Sequence, residues 1–233
     1  MPLWSRLWRA ALPQDCLLCG QWSGQGSDDG QLCRPCLEEL PALRGGCPVC
    51  AMPGPASTRP GGAVCGACLA HPPQFDATIA AWSYGYPADR LVQALKFRGR
   101  LAVAPLLARA LAERVSLADL VVAMPLHPAR VRDRGFNQAV EIARHLAKIK
   151  GVPLALDCVR RIRHTLPQTG LPPSLRSRNV RGAFACEPRL AGLRIAVVDD
   201  VMTTGATLDE LARVLKRAGA AHVQNWIVAR TLD

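Results

Sequence analysis

R-I-A-V-V-D-D-V-M-T-T-G-A-T-L-D-E-L occupies residues 194–211 and decides the fold. Ile195 to Val198 is a short apolar run rich in β-branched residues, the pattern of a strand buried on both faces in a parallel sheet. Asp199 and Asp200 follow at its end, then the small and hydroxyl residues Thr203-Thr204-Gly205-Ala206-Thr207. Leu208, Leu211, Ala212 and Leu215 then recur at helical spacing towards Gly219. A helix N-terminus presents unpaired backbone N–H groups and partial positive charge, so the loop suits a phosphate. Gly205 lets the backbone approach an anion, and the threonines add hydroxyl donors. The loop has no lysine and lacks the G-x-x-x-x-G-K spacing, which excludes a P-loop. Two adjacent carboxylates suit the hydroxyls of a sugar, directly or through Mg²⁺. No lysine or arginine follows within several residues, so a diol or Mg²⁺ is their expected partner. A phosphate with a diol one ribose away is a ribose 5-phosphate. A generic strand–turn–helix with a hydroxyl-rich cap would leave both carboxylates unexplained.

V-V-D-D-V-M-T-T-G-A-T resembles the ribose-phosphate motif of type I phosphoribosyltransferases. The resemblance implies that Asp199 and Asp200 contact the ribose 2- and 3-hydroxyls and serve as the catalytic acids. It places the 5-phosphate in the T-T-G-A-T loop, the ribose-phosphate set being Asp199, Asp200, Met202, Thr203, Thr204, Gly205, Ala206 and Thr207.

The chain has 233 residues, enough for one medium domain and a small module. No apolar run is long enough to span a bilayer, so membrane insertion is not expected. Residues 1–13 carry Trp4, Leu7, Trp8 and Leu12, but Arg6 and Arg9 interrupt the continuous apolar core of a signal peptide. They read as an amphipathic cap, and the protein is expected to be cytoplasmic, where cysteines stay reduced. The formal net charge is +11. Residues 1–70 sum to zero, so the excess lies in residues 71–233 and calls for an anionic partner such as polyphosphate or nucleic acid.

Eight of the ten cysteines form four C-x-x-C pairs: Cys16/Cys19, Cys33/Cys36, Cys47/Cys50 and Cys65/Cys68. Two such pairs complete a tetrahedral S₄ site, so two structural zinc ions are expected. Disulfides fit a secreted protein, and four tandem pairs argue against a thioredoxin-like redox motif. Pairing of first with second and third with fourth gives two similar ribbons; a cross-braced pairing is the alternative. Few large apolar residues lie here, so metal would hold the segment. Two zinc ions and eight thiolates leave it acidic, which suits docking on the basic remainder.

Pro72-Pro73 marks the boundary between residues 1–70 and 71–233. Residues 54–62 read as a loop, Ile79 to Tyr84 as a strand, and Arg90 to Phe97 and Ala102 to Val115 as helices. The basic turn Lys96 to Arg100 reads first as a solvated helix end, with anion contact as the alternative. Leu120 to Leu126 is the next buried strand, followed by an arginine-rich loop and a helix to Lys150; Val223 to Ala229 is the last strand. Cys158 and Cys186 read as buried small hydrophobes.

P-L-H-P-x-R lies where type I phosphoribosyltransferases carry their pyrophosphate loop, so Leu126, His127, Arg130 and Arg134 are the candidates for that anion. With R-G-F-N-Q, Q-T-G-L, R-N-V-x-G-A-F and the cysteine ribbon, the chain resembles the competence protein F (ComF) family over nearly its whole length. Pro172 and Pro173 depart from the more polar helix start usual there and shorten any helix. The resemblance implies an α/β type I phosphoribosyltransferase fold with a parallel sheet and an N-terminal double zinc ribbon. Residues 158–186 would be the basic hood that closes over the sugar. It implies phosphoribosyl pyrophosphate or a nucleotide with Mg²⁺, transfer of the phosphoribosyl group to an unnamed acceptor, and a link to the DNA-uptake machinery. The alternative is a non-catalytic single-stranded-DNA-binding protein with Phe97 or Phe136 as stacking faces.

Overall fold

A computed structural model describes residues 15–21, 31–54, 62–165, 178–187 and 190–232. The expectations for residues 1–13, for most of the 54–62 loop and for Gln168 to Arg176 lie outside them.

Five strands form one parallel sheet in the order β1, β7, β6, β2, β3: Ala77–Ser83, His222–Arg230, Arg194–Met202, Leu120–Ala123 and Leu154–Ala155. β6 and β7 hold the centre, where Ile195 to Val198, Val223 and Trp226 to Val228 are buried. Helices α3 (Ala88–Arg98), α4 (Val103–Ala112), α6 (Gln138–Lys150) and α7 (Ala206–Arg217) supply the covering apolar faces. The chain leaves β2 towards β3 on one side and leaves β6 towards β7 on the other. Such divergent exits open a crevice at the C-terminal strand ends, where open α/β sheets bind ligands. An antiparallel pair, β4 (Val159–Arg161) and β5 (Phe184–Cys186), stands apart from the sheet and carries both ends of the expected hood.

β6 runs through Met202, so both acids lie within the strand rather than after it. β7 is equally long and pairs Asp199 with Ile227, Val201 with Ala229 and Met202 with Arg230. The arginine-rich segment is also more regular than its sequence suggests. Pro128–Arg134 forms the short helix α5, opened by Pro128 and by His127 Nδ1, which accepts the Ala129 N–H at 3.3 Å.

The N-terminal segment, with short helices α1 (Arg34–Glu38) and α2 (Gly66–Ala70), packs on the free edge of β1. The Leu43 N–H reaches Ala81 O, the Ser83 N–H reaches Pro41 O, and the Thr78 N–H reaches Pro48 O. An otherwise open sheet edge is thereby covered.

Candidate functional site

The cysteines come together as two groups, Cys16, Cys19, Cys33, Cys36 and Cys47, Cys50, Cys65, Cys68, each with its sulfurs within 4.8 Å of one another. Pairing is therefore sequential, and the cross-braced arrangement is excluded. Tetrahedral ZnS₄ with bonds of about 2.3 Å has S···S edges of about 3.8 Å. Cys19–Cys33 at 3.7 Å and Cys50–Cys65 at 3.6 Å match those edges, so the donor sets fit structural zinc. Burial would raise the Cys16 and Cys47 thiols, but nearby backbone N–H groups lower them to about 6 and about 7. Burial and the neighbouring sulfurs push Cys36 and Cys68 up, so metal must displace protons from them.

At the crevice, strand alternation turns Asp199 and Asp200 to opposite faces. Asp200 is 3% exposed. Its Oδ1 accepts the Val201 N–H at 2.8 Å, and its Oδ2 lies 2.7 Å from Lys96 Nζ, at the end of α3. The expectation that the acids lack a basic partner is thus corrected for Asp200. The lysine comes from the last turn of a helix distant in sequence, and its ammonium reaches Asp200. Asp199 is half-buried, and its Oδ1 accepts the Asp200 N–H at 2.9 Å. Its removal from water and the adjacent Asp200 carboxylate push it up to about 8, against the pull of Lys96. A directly coordinated Mg²⁺ at Asp200 Oδ2 would have to share that oxygen with the Lys96 ammonium.

Thr203, Thr204 and Gly205 form the turn into α7. Gly205 sits at φ +82°, in the left-handed region, and a Cβ there would approach Met202 Cε to 2.7 Å. Thr204 is exposed, and its Oγ1 accepts the Ala206 N–H at 3.4 Å. Gly205→Ala is expected to lower stability by about 1–3 kcal/mol through left-handed strain, read as a fall in the unfolding midpoint.

Arg230, at the end of β7, was not singled out by the sequence. It is 5% exposed. Its Nη1 donates to the carbonyls of Met202 and Thr203, and its Nε donates to Cys50 O at 3.1 Å. One guanidinium therefore joins the second cysteine knuckle to the turn before Gly205.

The opposite wall is cationic. Arg130 Nη2 donates to Thr165 O at 3.2 Å, and Arg161 Nη2 donates to Thr165 Oγ1 at 2.5 Å. Arg161 also lies over the Phe184 ring at 5.5 Å and feels the charge of Asp199. His127 and His164 meet edge to face at 4.9 Å. Burial, then His164 and Arg161, Arg132 and Arg130, lower His127 below the usual imidazole range. Leu126 and His127 sit at the mouth of β2, half-buried. Arg134 donates to Gln138 Oε1 at 2.5 Å and stacks over Phe97 at 5.7 Å. Phe97 is 73% exposed, whereas Phe136 packs against the core. From α7, Glu210 accepts the Gly182 N–H at 2.8 Å, which ties the returning end of the expected hood to the helix that follows the Gly205 turn.

Such a crevice defines the class: a phosphoribosyltransferase-fold domain with a double zinc ribbon on its sheet edge. The Double zinc ribbon domain matches residues 7–69 and the Phosphoribosyl transferase domain matches residues 131–231. The DNA utilization protein YhgH of Escherichia coli is 34% identical over 95% of this chain and 99% of its own. Competence protein F of Haemophilus influenzae is 32% identical over 71% of this chain and 78% of its own. The chain belongs to this competence protein F and DNA utilization protein family. Among solved structures, glutamine phosphoribosylpyrophosphate amidotransferase from B. subtilis is similar at 25% identity and TM-score 0.38. That match covers 53% of this chain and 25% of the amidotransferase. Among the described residues no helix is long and apolar enough to cross a membrane.

Proposed function

We propose that the crevice binds a ribose 5-phosphate unit, with phosphoribosyl pyrophosphate as the preferred ligand. The observation that carries this is the continuous path from two acids on β6, through a left-handed Gly205, to the N-terminus of α7. Asp199 takes the hydroxyl side of the ribose, and the N–H groups from Thr204 to Thr207 take the 5-phosphate. The pyrophosphate lies towards Arg130 and Arg134, with Arg161 behind them. Mg²⁺ would be held by the ligand's own pyrophosphate, with Lys96 already paired to Asp200. In transfer, the C1–O bond to pyrophosphate breaks, and the leaving group takes the electron pair. An acceptor nucleophile forms the new bond at C1 and loses its proton. The acids favour the positive charge that develops on the sugar. Phosphoribosyl pyrophosphate at 100 times its Kd should stabilise the full chain by about 2.7 kcal/mol. That rise in the unfolding midpoint, absent with inorganic phosphate at the same concentration, is the test.

A second reading is favoured by Phe97, exposed beside Arg134 on a basic domain: a single strand of DNA laid across the same mouth. Affinity for an oligonucleotide should then fall with salt with a slope of about −0.7 per phosphate neutralised. Phe97→Ala should cost about 1–3 kcal/mol of that binding. A salt-independent affinity counts against this reading.

A further inference from the structure

Lys96 stands where a divalent ion would be looked for. Its ammonium lies 2.7 Å from Asp200 Oδ2, inside the crevice, and the side chain keeps 23% of its exposure. An ammonium has three N–H donors. Among the described residues Asp200 is the acid it pairs with, so at least two donors remain for something that enters. Asp200 Oδ2 is buried and, among the described residues, faces that ammonium alone, without a hydrogen-bond partner, while Oδ1 accepts the Val201 N–H. The two acids are therefore not equivalent. Asp200 is nearly buried and anchors a lysine, while the half-buried Asp199 keeps access to the crevice.

We infer that Lys96 is a ligand-binding residue and the resident cation of the ribose-phosphate site, held there by Asp200 in place of a directly coordinated metal. This rests on the ribose 5-phosphate reading above and adds a division of labour to it. Lys96 donates to the ribose oxygens or to the anion carried on C1, and Asp200 aims it. Mg²⁺ demands near-ideal octahedral oxygen ligands at about 2.0–2.1 Å. At Asp200 Oδ2 it would meet an ammonium on the same oxygen, and like charges at that range repel.

Ribose 5-phosphate is the discriminating probe, because it lacks the pyrophosphate that would bring its own Mg²⁺. The experiment is calorimetry with the zinc-loaded full chain, in buffer freed of magnesium by dialysis without chelator, then with Mg²⁺ added. Wild type is expected to bind with an affinity that changes less than about threefold between the two, a difference well under 1 kcal/mol. Lys96→Met should weaken binding by about 10- to 150-fold, the loss of one charge-assisted hydrogen bond. Added Mg²⁺ should restore part of that loss, which a purely structural role would not produce. Lys96→Arg should retain more affinity than Lys96→Met. Asp200→Asn should match Lys96→Met and add little when combined with it, whereas Asp199→Asn should add its own loss. Wild-type affinity that rises by orders of magnitude with Mg²⁺ overturns the inference, with no variant needed. So does Lys96→Met binding as tightly as wild type. If folded wild type binds ribose 5-phosphate under neither condition, the ribose 5-phosphate reading itself falls, and the inference with it.

Discussion

Stripping zinc from the full chain is expected to unfold the cysteine ribbon and loosen the turn at Thr203 to Gly205 with it. Structural zinc contributes about 10–16 kcal/mol of apparent folding free energy per site in small zinc peptides. That is as large as the whole stability of a typical domain. The ribbon has little else to hold it: among its described residues the buried aliphatic side chains are Leu32, Leu40 and Ala51. Arg230 carries the effect further. When the knuckle at Cys50 opens, the guanidinium loses one carbonyl while still holding those of Met202 and Thr203. Elemental analysis should find two zinc per chain, from the eight sulfurs in two groups. Cys50→Ser should lose one of them and unfold at a markedly lower temperature. Arg230→Met should keep both ions yet lower stability by about 2–4 kcal/mol, through the Cys50 and Thr203 carbonyls left without that donor. Less than one zinc per chain with no free thiols would mean disulfides in place of metal.

Replacing Asp199 and Asp200 together by Asn is expected to weaken phosphoribosyl pyrophosphate binding by about 2–4 kcal/mol, or about 30- to 700-fold. Size and polarity are conserved, so the strand should keep its pairing with β7. Lys96 loses its partner but retains access to water, so the cost in stability should be smaller than for a sealed ion pair. With Asp199 pushed up to about 8, the charge that a neutral amide cannot offer to a hydroxyl is present mainly above that pH, so the loss from Asp199→Asn should grow as the pH rises through about 8. Without the Asp200 carboxylate, the ammonium is no longer aimed. Thr204→Val should cost less, because backbone N–H groups carry most of the contact with the 5-phosphate. Unfolding midpoints of each variant, recorded beside the titrations, separate a lost ligand contact from a lost fold.

The strand, the glycine turn and the helix of residues 194–211 were legible because a β-branched apolar run, a glycine and a helical spacing of leucines each name their element. The cysteine pairs were legible because a metal fixes their spacing. Chain neighbours could not reveal the rest. Asp199 and Asp200 look like a strand end, since isolated carboxylates rarely favour a strand; only the equally long β7 extends the ladder past them. Lys96 looks like a solvated helix end until the fold brings its ammonium to Asp200. Arg230 sits near the end of the chain with no motif around it, and its role exists only because the ribbon docks on β1. α5 hides in a segment rich in arginine, although Pro128 after His127 was a readable helix start. Phe97 and Phe136 were equal candidates in sequence, and burial separates them.

Calorimetric titration of zinc-loaded full chain with phosphoribosyl pyrophosphate and Mg²⁺, beside the Asp199→Asn/Asp200→Asn variant, decides the ribose-phosphate assignment. The expected result is saturable one-to-one binding by wild type, competed by ribose 5-phosphate, and a loss of at least about 30-fold in the variant. Equal affinity in the two proteins, or no heat of binding from folded wild type, would contradict it.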